Sequence, residues 1–227
     1  MYYWDWTMLL VIPGLLLGMW AQHKVSSSFR KYSSIHTQKG ITADEVSRQL
    51  LSHSGNSSVS VREVSGKLTD HFDPRTGTLR LSESVYGSNS VSAIGVAAHE
   101  CGHAMQQQEG YLPLKLRSAI VPMVNIGSNL YFPIFLLGLV FSWQPLVYVG
   151  IGCFALTLLF SLVTLPVEFN ASKRAMAVLE SGGYVTQDEL VGVRAVLNAA
   201  AMTYVAAAIS SLLQLARLLI ISRDQRD

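Results

Sequence analysis

Four apolar runs dominate this chain of 227 residues: Tyr2 to Ala21, Ile120 to Trp143, Leu146 to Val167, and Ala199 to Ile221. Each is long enough to cross the hydrocarbon core of a bilayer, which takes about 20 helical residues. Inside lipid every backbone N–H and C=O must find its partner within the segment, so runs of this kind are helices. Composition agrees, since half the residues are hydrophobic and 14% are charged, against roughly 25% in soluble domains. The expectation is a mainly α, multi-pass membrane protein with four transmembrane helices, seated in the lipid bilayer.

The first run is read as an anchor that stays on the chain. No basic residue precedes it, Asp5 lies inside its front end, and no small-residue cleavage site follows before His23-Lys24. Trp4, Trp6 and Trp20 suit its two interfaces. Of the 17 Lys and Arg residues, 11 fall between Lys24 and Arg117, and Lys173, Arg174 and Arg194 fall between the third and fourth runs. Because cytoplasmic loops carry the excess of positive charge, both stretches are expected on the cytoplasmic side of the cell membrane. The second and third runs then form a hairpin turning outside at Ser142-Trp143-Gln144-Pro145. Arg217, inside the fourth run, is expected to snorkel to the nearby end, the alternative being an interior salt bridge. Asn125 and Asn129, four apart in the second run, are expected to join helices through hydrogen bonds.

The polar stretch between the first two runs holds the chemistry. Gln22 to Gly40 is a Ser-rich connector. Thr42-Ala43-Asp44-Glu45 reads as a capping box opening a helix that ends near Gly55, with His53 as a surface or terminal residue. Val59 to Val64, Leu68 to Phe72 and Thr78 to Leu81 read as short strands, the last two joined by the turn Asp73-Pro74-Arg75-Thr76-Gly77. Thr78 to Ser82 is the candidate edge strand, able to pair with an extended peptide.

Ser90 to Gln108 then reads as one helix carrying His99-Glu100-Cys101-Gly102-His103, an H-E-x-x-H motif. Each helical residue turns about 100°, so His99 and His103 share a face and can grip one ion. Glu100 projects beside them, where a carboxylate can take the proton of an attacking water. Cys101 points elsewhere and reads as a small packed thiol. With six His and eight Glu in the chain, chance would produce the three fixed positions in roughly 0.5% of shuffled sequences. Catalytic zinc takes a third protein ligand and leaves one position open. From residue chemistry the candidates are His71, Asp70, Asp73, Glu168 and Glu180; Glu168 lies just past Pro166 at the cytoplasmic end of the third run.

Leu165-Pro166-Val167-Glu168-Phe169-Asn170-Ala171-Ser172-Lys173-Arg174-Ala175 resembles the second motif of membrane gluzincins, the group of the CAAX prenyl protease and the HtpX heat-shock protease. In that group a Glu on a later helix completes the zinc site, usually followed four residues on by Asp; here that place is Ser172. Together with Leu68 to Arg75, Leu81-Ser82-Glu83 and Ala97-Ala98-His99-Glu100, the passage resembles the YugP-like family of bacterial membrane zinc metallopeptidases, from about residue 40 to the C-terminus. The resemblance implies a neutral zinc metallopeptidase with four spans, one Zn2+ on His99, His103 and Glu168, and Glu100 catalytic. Ser172 would support a ligand histidine less firmly than a carboxylate.

The expected organisation is then a transmembrane anchor at 1–21, a small cytoplasmic α+β zincin-like domain at 22–117, and a transmembrane hairpin at 118–167. Cytoplasmic helices with the third ligand follow at 168–198, and a last transmembrane helix with its tail at 199–227, where Arg223 and Arg226 are offset by Asp224 and Asp227. The implied activity is hydrolysis of peptide bonds at the cytoplasmic membrane surface, on peptide or membrane-protein substrates. His71, Tyr86, Tyr184 and Arg174 are able to stabilise the oxyanion. The polar run Gln106-Gln107-Gln108-Glu109 argues against a site deep in lipid. A catalytically idle scaffold or adaptor that keeps zinc is the alternative, and a membrane-protein partner or homo-oligomer is allowed. Cys101 and Cys153 make no disulfide framework, and a net charge of +2 does not call for nucleic acid.

Overall fold

The computed structural model describes residues 6–224. The expectations on Trp4, Asp5, Arg226 and Asp227 fall outside that range. After a 3-10 turn at Trp6–Leu10 come α1 (Ile12–Ser33), α2 (Ala43–His53), β1 (Ser60–Val64), β2 (His71–Asp73), β3 (Thr78–Ser82), α3 (Val91–Gln108), α4 (Leu112–Val140), α5 (Gln144–Ser181) and α6 (Gln187–Asp224). Four helical stretches among these residues are long and apolar enough to span a membrane: Trp6–Ser33, Leu112–Val140, Gln144–Ser181 and Gln187–Arg223. The protein is mainly α with a small three-stranded sheet. Two compact units emerge: one from the chain up to Ala21, Leu116–Pro166 and the chain from Met202, the other from Gln22–Lys115 and Val167–Ala201.

In the second unit, local chemistry sets most boundaries. The Glu45 carboxylate accepts from the Thr42 N–H at 3.1 Å, closing the first turn of α2 as the capping box requires. Ser90 Oγ accepts from the Ala93 N–H at 3.3 Å to start α3. The polar connector is helical as far as Ser33, because nothing in its Ser-rich run breaks the helix that enters it. Its end is tied down where the His36 imidazole bonds the Asn89 carboxamide at 2.6 Å. The core gathers Val46, Leu50, Leu79, Leu81, Val85, Ile94, Leu179 and Val193.

Two expectations about the sheet are corrected. The strand order is β1-β3-β2, with β1 parallel and β2 antiparallel to β3. Thr78–Ser82 is therefore the central strand, four of its five residues buried, and the edges are β1 and β2. Leu68 does not belong to a strand: its φ is +55°, and the second strand begins at His71. Asp70 turns the chain there, accepting from the Ser82 N–H at 2.7 Å and from the Ser82 hydroxyl.

In the first unit, helices meet where side chains are absent. A Cβ on Gly138 would lie 2.6 Å from the Val147 nitrogen, and one on Gly150 2.8 Å from Phe135 backbone atoms. Phe135, Val147, Ile151, Phe154 and Leu218 form a small core. Arg217 Nε donates to Thr7 Oγ1 at 3.1 Å. Among the described residues, the two asparagines join no helices within one chain: Asn129 Nδ2 donates to the Asn125 carbonyl at 2.9 Å, inside α4, and both side chains face outward.

Candidate metal centre

The small residues of α3 decide what can approach it. Gly102 has no room for a side chain, since a Cβ there would stand 2.6 Å from the Ala171 carbonyl oxygen of α5. This backbone contact sets the C-terminal part of α5 against the H-E-x-x-H turn. Glu168, only 2% exposed, then presents Oε2 to both imidazoles, 3.2 Å from His99 Nε2 and 3.6 Å from His103 Nε2. Donor atoms on a tetrahedral zinc with bonds of about 2.0–2.2 Å lie roughly 3.3–3.6 Å apart. Two imidazole nitrogens and a carboxylate oxygen at such separations could hold that ion. The potential ligand atoms of His99, Glu100 and His103 also lie within 4.8 Å of one another.

A hydrogen-bond relay fixes which nitrogen faces this point. Arg174 has only donors, and its Nε reaches Asn170 Oδ1 at 2.7 Å, while its other nitrogens clasp both oxygens of Glu109. Asn170 Oδ1 is thereby an acceptor, so the second atom it meets, Gln106 Nε2 at 2.9 Å, donates. The same nitrogen donates to the Val167 carbonyl at 2.8 Å. Gln106 Oε1, 3.1 Å from His103 Nδ1, must then accept, which keeps a proton on Nδ1 and turns Nε2 toward Glu168. At His99 the corresponding partner is the Ser172 hydroxyl, 3.1 Å from Nδ1. Burial works against the charged form of His103, but the Glu168 and Glu100 carboxylates outweigh it and raise its pKa. A proton and a cation compete for the same nitrogen.

Glu100 faces the open edge of the sheet. Its Oε2 accepts from the Phe72 N–H of β2 at 3.0 Å. Phe72 lies opposite Leu79 and aims this N–H away from β3. Asp70, half-buried near Glu100, has its carboxyl pKa raised, first by desolvation and in part by that neighbouring charge. Cys101 is fully buried, its thiol donating to the Ser47 carbonyl at 3.8 Å, and burial pushes its pKa up to about 12. It is a packed thiol, as its helical direction indicates.

The other sequence candidates are engaged elsewhere. His71 Nδ1 bonds the Thr69 carbonyl, Asp73 caps its own turn through Arg75 and Thr76, and Glu180 accepts from Gln187. Tyr86 meets Arg48, Tyr184 meets His53, and Arg174 serves the relay. Sequence reasoning passed over Gln106 and Asn170 as site residues. The one available signal was an amide three residues after His103, directly following the apolar pair Ala104-Met105.

The family model described as "Putative neutral zinc metallopeptidase" matches residues 7–223. A curated relative, "Putative membrane protease YugP" of Bacillus subtilis (strain 168), is 47% identical over 218 residues, covering 96% of this chain and 97% of the relative. No solved structure matches. With the family model spanning nearly the whole chain and the paired histidines, Glu100 and Glu168 gathered at one point, the protein belongs to this family of neutral zinc metallopeptidases.

Proposed function

We propose that the chain is a zinc-dependent endopeptidase embedded in the cell membrane, hydrolysing peptide bonds on the cytoplasmic side. His99, His103 and Glu168 hold the ion, one per chain, and Glu100 is the general base. The observation that carries this reading is the convergence of Glu168 Oε2 on both Nε2 atoms at zinc-like separations. The cytoplasmic side rests on the density of Lys and Arg between Lys24 and Arg117.

Bound zinc supplies a Lewis acid that makes water a nucleophile near neutral pH and polarises a carbonyl. The protein's own groups do the rest. Gln106 and Ser172 hold the two imidazoles by Nδ1, so their Nε2 lone pairs stay aimed at the ion. Glu100 takes a proton onto a carboxylate oxygen and returns it to the leaving amine. An extended peptide laid along the open edge of β2 passes the Glu100 carboxylate, because the outward Phe72 N–H already reaches it. Edge pairing holds substrates by their main chain, which suits tails of membrane proteins or misfolded segments of varied sequence.

The test compares membranes containing the wild-type protein with membranes containing Glu100→Gln, reading released peptides by mass spectrometry and zinc content of the purified protein. The expected outcome is peptides released by the wild type alone, with equal zinc in both. Equal release would move the protein to the scaffold reading.

A further inference from the structure

Helix α4 turns Val124, Gly127, Phe135 and Gly138 inward. Gly127 abuts the Cys153 carbonyl of α5 and Gly138 abuts Val147. At about 100° per residue, Asn125 and Asn129 lie about 160° to either side of Gly127, on the face turned away from α5. Both are exposed, and the stripe continues through Ser118, Pro122, Phe132 and Leu136, all exposed. The neighbouring exposed stripe of α4, with Leu116, Met123, Ile126, Leu130, Leu137 and Val140, is wholly apolar and suits lipid. Only the first stripe carries amides.

Their depth makes this costly. Asn125 and Asn129 come about 12 and 18 Å along the helix beyond Arg117, at about 1.5 Å per residue, in a hydrocarbon core about 30 Å thick. Neither headgroups nor water serve them there. The Ser128 hydroxyl and the Asn129 amide nitrogen both donate to the Asn125 backbone carbonyl. The Asn125 carboxamide and Asn129 Oδ1 have no partner among the described residues.

We propose that this stripe is a dimer interface, covered by α4 of a second copy of the chain, with Asn125 and Asn129 bonded amide to amide across a two-fold axis along the membrane normal. Identical chains insert with identical orientation, so each asparagine meets its own counterpart at its own depth. A carboxamide both donates and accepts, so it complements itself. Ser118, Pro122, Asn125, Asn129, Phe132 and Leu136 alternate in steps of four and three, the seam of a left-handed helix pair crossing at about 20°. An asparagine in such a seam fixes register and the number of strands. The inference does not depend on the metal centre.

The test uses the full-length protein in membranes, oxidised after single cysteines are introduced on α4. Phe132→Cys, on the seam, should form a disulfide-linked dimer, while Leu130→Cys, on the lipid stripe, should do no more than the parent protein. Energy transfer between labelled copies in vesicles gives the second readout. Asn125→Leu with Asn129→Leu, which makes the outer face more apolar and leaves the α5 contacts alone, should weaken association by about tenfold or more. Far-ultraviolet circular dichroism and an unchanged thermal unfolding profile in detergent report that the variant is folded. Equal crosslinking at 130 and 132, crosslinks to a protein of another mass, or unchanged association of the leucine variant would each overturn the proposal.

Discussion

The two units hold their helices together with the same device and use it to different ends. In both, glycine lets backbones touch: Gly102 against Ala171 in the unit of the metal centre, Gly150 against Phe135 in the other. What surrounds the contact differs. Beside Gly102, buried polar atoms are paired in sequence, Gln106 at 0% exposure using both ends of its amide and Ser47 and Cys101 bonding backbone carbonyls. In the other unit the Thr157 and Thr164 hydroxyls are buried with no hydrogen-bond partner among the described residues. Helices that need only stay together are served mostly by contact, with isolated bonds such as Arg217 to Thr7 and Gln144 to the Ser222 carbonyl. Helices that must aim lone pairs at one point need directional bonds as well, because van der Waals packing fixes distance far better than rotation about χ1 and χ2.

The contrast can be broken most directly at its centre. Glu168→Ala should leave the protein without retained zinc after purification, measured by elemental analysis, while far-ultraviolet circular dichroism stays that of the folded helices. Zinc retained at the wild-type level would mean the carboxylate is only an ion-pair partner. Next in size, Gly102→Ala should cost about 1–3 kcal/mol through overpacking and lower zinc content with it. Gly150→Ala, with its comparable clash, should lower thermal stability and leave zinc content alone. If the two glycine variants behave alike in both measurements, the distinction between the units fails.

Smaller effects sharpen the role of the relay. Gln106→Leu keeps approximate volume but frees His103 to rotate, and should weaken zinc affinity by about ten- to a hundredfold in chelator competition. Ser172→Asp should tighten it and Ser172→Ala loosen it, each by less than Gln106→Leu, since a carboxylate orients His99 Nδ1 more firmly than a hydroxyl. The smallest effect lies far from the ion. Asp44 is subject first to burial, which raises its carboxyl pKa, but bonds from Thr42, Arg48 and the Gly87 N–H bring it below the ordinary 3.8. Its contribution to stability is present above that value and disappears as pH falls through the lower folded value. Asp44→Asn should therefore lose a little stability at neutral pH, and its acid unfolding should be correspondingly less steep below pH 4.

What the sequence discloses about this protein follows the range of the forces involved. The four apolar runs, the capping box at Thr42 and the start of α3 at Ser90 are legible because helix hydrogen bonds and caps act over four residues. The paired histidines and Glu100 are legible for the same reason. Strand order is not, because β1 pairs in parallel with β3 across the whole β2 hairpin, and nothing local in Thr78–Ser82 separates a central strand from an edge. Glu168 could be singled out only by resemblance, since its partners His99 and His103 lie 69 and 65 residues away in sequence. Gln106 and Asn170 read as ordinary polar residues until α3 and α5 stand side by side. Asn125 and Asn129 signal a polar need inside a span without saying which helix meets it.

The contact at Gly102 bears on how this centre can be altered. Donor side chains on α3 and α5 are ordinary residues and can be exchanged for others, one at a time. The separation of the two rods is written in main-chain atoms, with a lone hydrogen between them, and no substitution can shorten it. A redesign for a larger cation has to part the rods rather than trade ligands, and every enlargement of residue 102 moves both histidines at once, since they stand on either side of it in the same turn.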